Sequence, residues 1–198
     1  MVKRKLILLL CIINTVCVFA DFWGVPKIIT AYSQNNEYVL QVNPIKFPNK
    51  FFSTKYQRQL RKGIVKDSIV LSHAVLYHIC HSDTTEVWNK PLVNRESPVK
   101  VIVANDGKSV ITIDDWEMTG YEHTLVIYGE DGELIRDFKL EDISPFLLEQ
   151  YSHFFSGISW GKNVEYLDND RVKILFRNEK GEERIRVFNI KTREFEEP

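Results

Sequence analysis

Cysteine is scarce, and scarcest where it would be structural. Of the three cysteines in 198 residues, Cys11 and Cys17 fall within the first twenty positions and only Cys80 lies beyond them. Once those twenty residues are removed, no internal disulfide can form, so the stapled design of small secreted eukaryotic domains is excluded. The lone Cys80 follows an apolar run and is expected to be a buried small hydrophobe, pairing with another chain being its other use. Basic excess is also missing. The formal net charge is −1, which gives no general means of displacing counterions from nucleic-acid phosphates. No Gly-x-Ser-x-Gly, phosphate-cradling glycine loop, His-Glu-x-x-His or Asp-x-Asp-x-Asp-Gly occurs, so no catalysis or metal binding of those linear types is encoded. An apolar run long enough to span a bilayer is lacking too.

The longest apolar run is short, and it lies at the start. Lys3-Arg4-Lys5 precedes Leu6–Ala20, a fifteen-residue stretch broken only by Asn14 and Thr15 and closing on Val18-Phe19-Ala20 before Asp21. A basic n-region, an apolar h-region and a small-x-small end describe a secretory signal, with cleavage expected before Asp21. A membrane anchor would need about 20 such residues. Neither Cys11 nor Cys17 has the small residues that precede a lipoprotein cysteine. Loss of Lys3, Arg4 and Lys5 takes the 26 basic residues to 23 against 27 acidic. The exported chain is then one mildly acidic domain, residues 21–198, large enough for its own core. Export without disulfides points to a bacterial periplasmic or surface protein.

Beyond the signal the chain reads as short strands and tight turns. Strands are expected at Lys27–Ser33, Tyr38–Val42, Ile69–His81, Glu86–Leu92, Val99–Ala104, Ser109–Asp114, Thr124–Gly129, Glu133–Leu140, Arg171–Arg177 and Glu183–Ile190. Asn105-Asp106-Gly107, Glu130-Asp131-Gly132 and Lys180-Gly181 supply the positive φ that hairpin loops need. These hairpins repeat. Ala74-Val75-Leu76-Tyr77, Leu125-Val126-Ile127-Tyr128 and Lys173-Ile174-Leu175-Phe176 each end in an aromatic before a polar turn. Tyr32–Val39 likewise resembles Val103–Val110. A four-stranded unit repeating about every 50 residues is a propeller-like signature.

Val187-Phe188-Asn189-Ile190-Lys191-Thr192-Arg193-Glu194 resembles the last strand and exit turn of a WD40-type blade, with Asn189 at the Asp position and Arg193 at the Gly position. Leu125–Leu140 resembles the outer hairpin of such a blade. The resemblance implies an all-β fold of about three four-stranded antiparallel propeller-like units, residues 26–95, 96–142 and 150–198. Three units imply an open stack, an atypical closure, or blades completed by another chain, since propellers close with about four to eight.

Two stretches break the β pattern. Ser144-Pro145 before Phe146–Tyr151 reads as a short helix with Ser as N-cap and Pro at the first position. The insertion Pro44–Lys66 carries a second, about residues 55–62, entered by the capping box Thr54–Gln57 and stopped at Gly63.

That insertion is the main candidate site. It holds Lys46, Lys50, Lys55, Arg58, Arg61, Lys62 and Lys66 with no acid, interleaved with Phe47, Phe51, Phe52 and Tyr56. Seven cations on one excursion make a field able to hold an anionic glycan, a lipid headgroup or an acidic protein surface. The plainer alternative is a helix lying on the sheet with a wet cationic face. Asp114-Asp115-Trp116-Glu117 with His123 is the densest acidic cluster, suited to holding a divalent cation or to acid–base work beside a sugar-stacking Trp. Adjacent strand residues face opposite ways, however, so Asp114 and Asp115 reach one ligand only if the strand has ended. The alternative is a polar connection over Asp115–Glu122. His73 and His81 share a face but stand roughly 26 Å apart at about 3.3 Å per residue, too far for one metal, and His78 points away.

The sequence therefore predicts an exported, non-catalytic binding protein, monomeric or homodimeric, without cofactor or metal and without affinity for nucleic acid. After cleavage it is not an integral membrane protein. Its binding surface would be Pro44–Lys66 together with Asp115–Glu122, both following the second strand of a unit. The alternative is an exported hydrolase of a glycan or envelope component using Asp114, Asp115, Glu117 and His123.

Overall fold

A computed structural model describes residues 24–47, 53–62, 70–81 and 83–196. The expected signal and its cleavage point lie outside them. Within them the chain is mostly β-strand, arranged in antiparallel sheets that do not close into a barrel.

The first sheet holds β1 (Ile29–Tyr32), β2 (Tyr38–Asn43), β3 (His73–Cys80) and β4 (Asp83–Pro91). The second holds β5 (Pro98–Val103), β6 (Val110–Asp115), β7 (Leu125–Tyr128) and β8 (Leu134–Phe138). A separate hairpin pairs β9 (Ser152–Phe154) with β10 (Gly157–Ser159). The third four-stranded sheet holds β11 (Gly161–Tyr166), β12 (Arg171–Arg177), β13 (Glu183–Asn189) and β14 (Glu194–Phe195). Each of the three four-stranded sheets is a simple meander, every strand pairing with its neighbours in the chain.

Burial explains the sequence pattern. The second sheet is sandwiched, so β6 and β7 are buried on both faces. Their near-continuous apolar runs reflect that position, whereas β12 alternates between buried and half-buried residues. One core lies between the first and second sheets and includes Leu40, Leu76, Trp88, Val103, Val126 and Tyr128. The other lies between the second and third and includes Ile111, Ile127, Trp160, Ile174, Phe176 and Phe188. The leading strands lie side by side. β1 neighbours β5, and Lys100 of β5 donates to the Val164 carbonyl of β11. Tyr166 Oη donates to the Val103 carbonyl at 2.9 Å. The three sheets thus share one edge region.

The turns between first and second strands are also tied together. Asn35 N donates to Asn105 Oδ1 and Asn35 Nδ2 to the Asn105 carbonyl, both at 3.0 Å. Equivalent backbone bonds close the three turns: Ser33 N to Tyr38 O at 2.9 Å, Ala104 N to Ser109 O at 2.9 Å and Leu167 N to Arg171 O at 2.8 Å.

These turns correct the expected repeat register. They make β12 the equivalent of β2 and β6, not of β3 and β7. The aromatic matching Tyr77 and Tyr128 is Phe188, because the cross-strand pairs are Val39–Tyr77, Val110–Tyr128 and Val172–Phe188. Both Phe176 and Phe188 face the same core, which is why the sequence offered the wrong one. The turn Asn189–Arg193 does not leave a last strand. It leads into β14, with Asn189 Oδ1 accepting from Lys191 N and Thr192 N at 3.0 Å and Arg193 at φ 62.

The helices also differ from expectation. Helix α1 (Thr54–Arg61) occupies the insertion as anticipated. A single helical turn, α2 (Leu140–Ile143), follows β8 and takes Leu140 from the end of the expected strand Glu133–Leu140. Ser144 does not cap a following helix. Its N–H closes α2 by bonding the Leu140 carbonyl, and only a 3-10 turn, Leu148–Gln150, follows. Cys80 is exposed, not buried, because it ends β3 beside the hairpin turn. Asp115 is paired in β6 opposite Pro98 and does not begin a loop.

Candidate functional site

The Asp-Asp-Trp-Glu segment ends β6 and opens the 116–124 connection. Asp114 adopts φ 63, which turns its carboxylate into that connection. Oδ1 accepts from Gly120 N at 2.5 Å and Asp115 N at 3.3 Å. Oδ2 accepts from Trp160 Nε1 at 2.6 Å. Gly120 sits at φ +73, and a Cβ there would lie 2.9 Å from Trp160 Cδ1, so the close approach needs glycine. Thr119 forms a parallel bridge with Gly157 at the start of β10. Asp114 therefore clamps the connection against β10 and Trp160. It borders a cleft of about 450 Å³ whose walls include Lys100, Thr119, Ser156 and Trp160. Burial pushes its pKa from 3.8 up to about 7, against the N–H donors that favour the carboxylate.

Asp115 joins a different network. Asn94 Nδ2 donates to its Oδ1 at 2.8 Å, and Asn94 Oδ1 accepts from Thr112 Oγ1 at 2.6 Å. Asn94 thereby ties the strand-free segment after β4 to β6. Desolvation raises the Asp115 pKa to about 6, with Asn94 and His123 opposing. Half-buried His123 pairs with Asp137 of β8, Nδ1 to Oδ2, at 2.7 Å. Glu117 is exposed at φ 69. The fold thus sends Asp114 to Trp160 and Gly120, Asp115 to Asn94, and His123 to Asp137. Among the described residues no group of three His, Cys, Asp or Glu side chains is placed to hold a metal ion.

The basic insertion leaves β2 as the 116–124 connection leaves β6, from equivalent ends of two equivalent meanders. Its base is closed by a bridge between Lys46 and Val70. On α1, Lys55, Arg58 and Arg61 are exposed, as is Lys62 directly after it. At about 100° per residue these four occupy an arc of roughly 120°. No carboxylate among the described residues lies within ion-pair distance of them. Lys46 is exposed as well. Lys50, Lys66 and the side chain of Tyr56 lie outside what is described.

Several site residues carried no local signal. Asn94, Asp137, Lys100 and Trp160 come from four separate segments and meet only when the sheets stack. Three arginines of the outer rim were equally unmarked. Arg136 stacks on Phe138, Arg184 on Phe146 and Arg186 on Phe195, at 4.8, 5.6 and 4.2 Å from the ring centres. The first contact lies within the second sheet and the last within the third, while Arg184 of β13 reaches Phe146 in the segment that joins them. With this geometry in hand, no protein-family model and no curated protein matches the chain.

Proposed function

We propose that this is an exported, non-catalytic binding protein of propeller-like architecture that holds an anionic ligand on the cationic face of α1. The observation that carries the reading is the exposed arc Lys55, Arg58, Arg61 and Lys62, which has no ion-pair partner among the described residues. Such an arc concentrates positive potential on a chain that is otherwise acidic. An anionic glycan, lipid headgroup or acidic protein surface fits it. Export to a bacterial periplasm or surface rests on Lys3–Ala20. The propeller-like reading rests on three equivalent meanders whose leading strands share one edge region.

A hydrolase using Asp114, Asp115, Glu117 and His123 has less support. The first two carboxylates are engaged in separate hydrogen-bond networks, and His123 is held by Asp137.

Retention on immobilised heparin and on phosphatidylglycerol vesicles tests the proposal at low salt. The wild-type chain should bind at least one of these probes. Reversal of Arg58, Arg61 and Lys62 to Glu should abolish retention while changing stability by no more than about 0.5 kcal/mol per site. Failure of the wild type to bind either probe, or unchanged binding by the reversed variant, overturns the reading.

A further inference from the structure

The two end faces of the three-sheet stack are equivalents of the faces that meet inside it. In the first sheet, Leu40, Val42, Ala74 and Leu76 face the second sheet and are fully buried. Their equivalents in the second sheet, Ile111, Ile113, Leu125 and Ile127, face the third and are buried in turn. The corresponding positions of the third sheet are Lys173, Leu175, Ile185 and Val187, which follow from the registers Lys173–Val187 and Leu175–Ile185. Among the described residues no sheet packs on them; Lys173, Leu175 and Val187 are half-buried and Ile185 is 56% exposed.

The opposite faces show the same progression. Val110, Thr112, Val126 and Tyr128 of the second sheet pack on the first. Val172, Ile174 and Phe188 of the third pack on the second. The matching face of the first sheet carries Val39, Gln41, Val75 and Tyr77; Val75 at its centre is buried, and the other three are half-buried. Beside them on β1, Tyr32 is 54% exposed.

We propose that a second copy of this chain covers both ends, the third sheet of each copy packing on the first sheet of the other. The occupant follows from the repeat. Twice within the chain a face of the Leu40–Leu76 kind packs on a face of the Val110–Tyr128 kind, and a second copy presents the missing member of each pair. The terminal faces have also kept their apolar character, where a repeat array ending in solvent needs polar caps. Lys173, the one cation among the four positions of its face, is neutralised by Glu165 on the same face, Nζ to Oε1 at 2.5 Å. The contact joins two different faces, so it generates either a closed ring or an open filament. A single shared edge region for the three leading strands favours closure by two copies. This inference does not use the cationic arc of α1, and its failure leaves that proposal standing.

Sedimentation velocity of the full exported chain tests it. The wild type should sediment as a dimer. Ile185→Lys alters one end and Tyr32→Lys the other, both at exposed positions, so each variant should keep the wild-type melting temperature. Each alone should become monomeric, weakening association by about thirtyfold or more, as loss of an interface hot spot does. Mixing the two variants rebuilds one of the two contacts and places both substitutions in the other, so the mixture should associate more tightly than either variant alone and more weakly than the wild type. A monomeric wild type, an open series of larger species, or one variant remaining dimeric while the other dissociates overturns the proposal. The last outcome would mark a like-with-like contact.

Discussion

Replacing Asp114 by Asn isolates the clamp on the 116–124 connection. Oδ1 accepts two N–H donors, from Gly120 and Asp115, so the amide oxygen of Asn must take that position. The amide nitrogen then faces Trp160 Nε1, where 2.6 Å separates donor from acceptor in the native chain. A protonated carboxyl still offers a lone pair to the indole, but an NH₂ group offers none. One buried hydrogen bond is lost and two donors are left facing each other, which costs about 2–4 kcal/mol. The total stability of such a domain is only about 5–15 kcal/mol. Urea unfolding at pH 5, followed by tryptophan fluorescence, measures the loss, with Trp160 as the adjacent reporter. The pH dependence sharpens the test. Burial raises the Asp114 pKa from 3.8 to about 7, so the folded chain retains a proton that the unfolded chain releases. The associated stability is fully present below the unfolded value and is withdrawn as pH rises through the folded one. Between pH 5 and 8 the wild type should lose about 3 kcal/mol from this group, at roughly 1.4 kcal/mol per unit. The Asn variant has no such proton, so the two stabilities should converge toward pH 8. A variant as stable as wild type at pH 5, or a deficit that does not change with pH, would refute the clamp.

Gly107 provides a second test. It sits at φ +69, and a Cβ there would fall 2.3 Å from the Tyr38 ring, so Gly107→Ala should destabilise the tie between the first two sheets by about 1–3 kcal/mol in a thermal melt. Cys80 is exposed, so Ellman's reagent should titrate it in the native protein without denaturant, and a thiol that reacts only in urea would contradict its position.

Most strands were legible because their punctuation was local. Asn105-Asp106-Gly107 and Glu130-Asp131-Gly132 state their turns outright, and the apolar runs between them fix the second sheet. The repeat register was harder to read. Phe176 and Phe188 both satisfy a strand-final aromatic on the same face, and only pairing across β12 and β13 separates them. Strand β11 is not legible in the sequence because Gly161-Lys162-Asn163-Val164-Glu165-Tyr166 offers few apolar residues, and its place is set by contacts to β5. The helical turn α2 follows from Asp142 Oδ2 accepting the Lys139 N–H at 2.9 Å, a contact between side chain and backbone that β-propensity does not register. At the site, the acidic cluster was visible as composition. Its division into separate networks depends on Trp160, Asn94 and Asp137, which the sequence places far from it.

The meander order bears on how the chain folds. Every strand in the three large sheets pairs only with a strand next to it in sequence. Backbone pairing therefore closes short loops, apart from the β2–β3 connection, and only the seams between sheets join distant residues. Loop-closure entropy is low for such pairings, and low contact order goes with fast folding. Each sheet completes its hydrogen bonds as soon as its own segment is available, so a chain emerging from a narrow passage, N-terminus first, can lay down one sheet at a time and dock the next onto it.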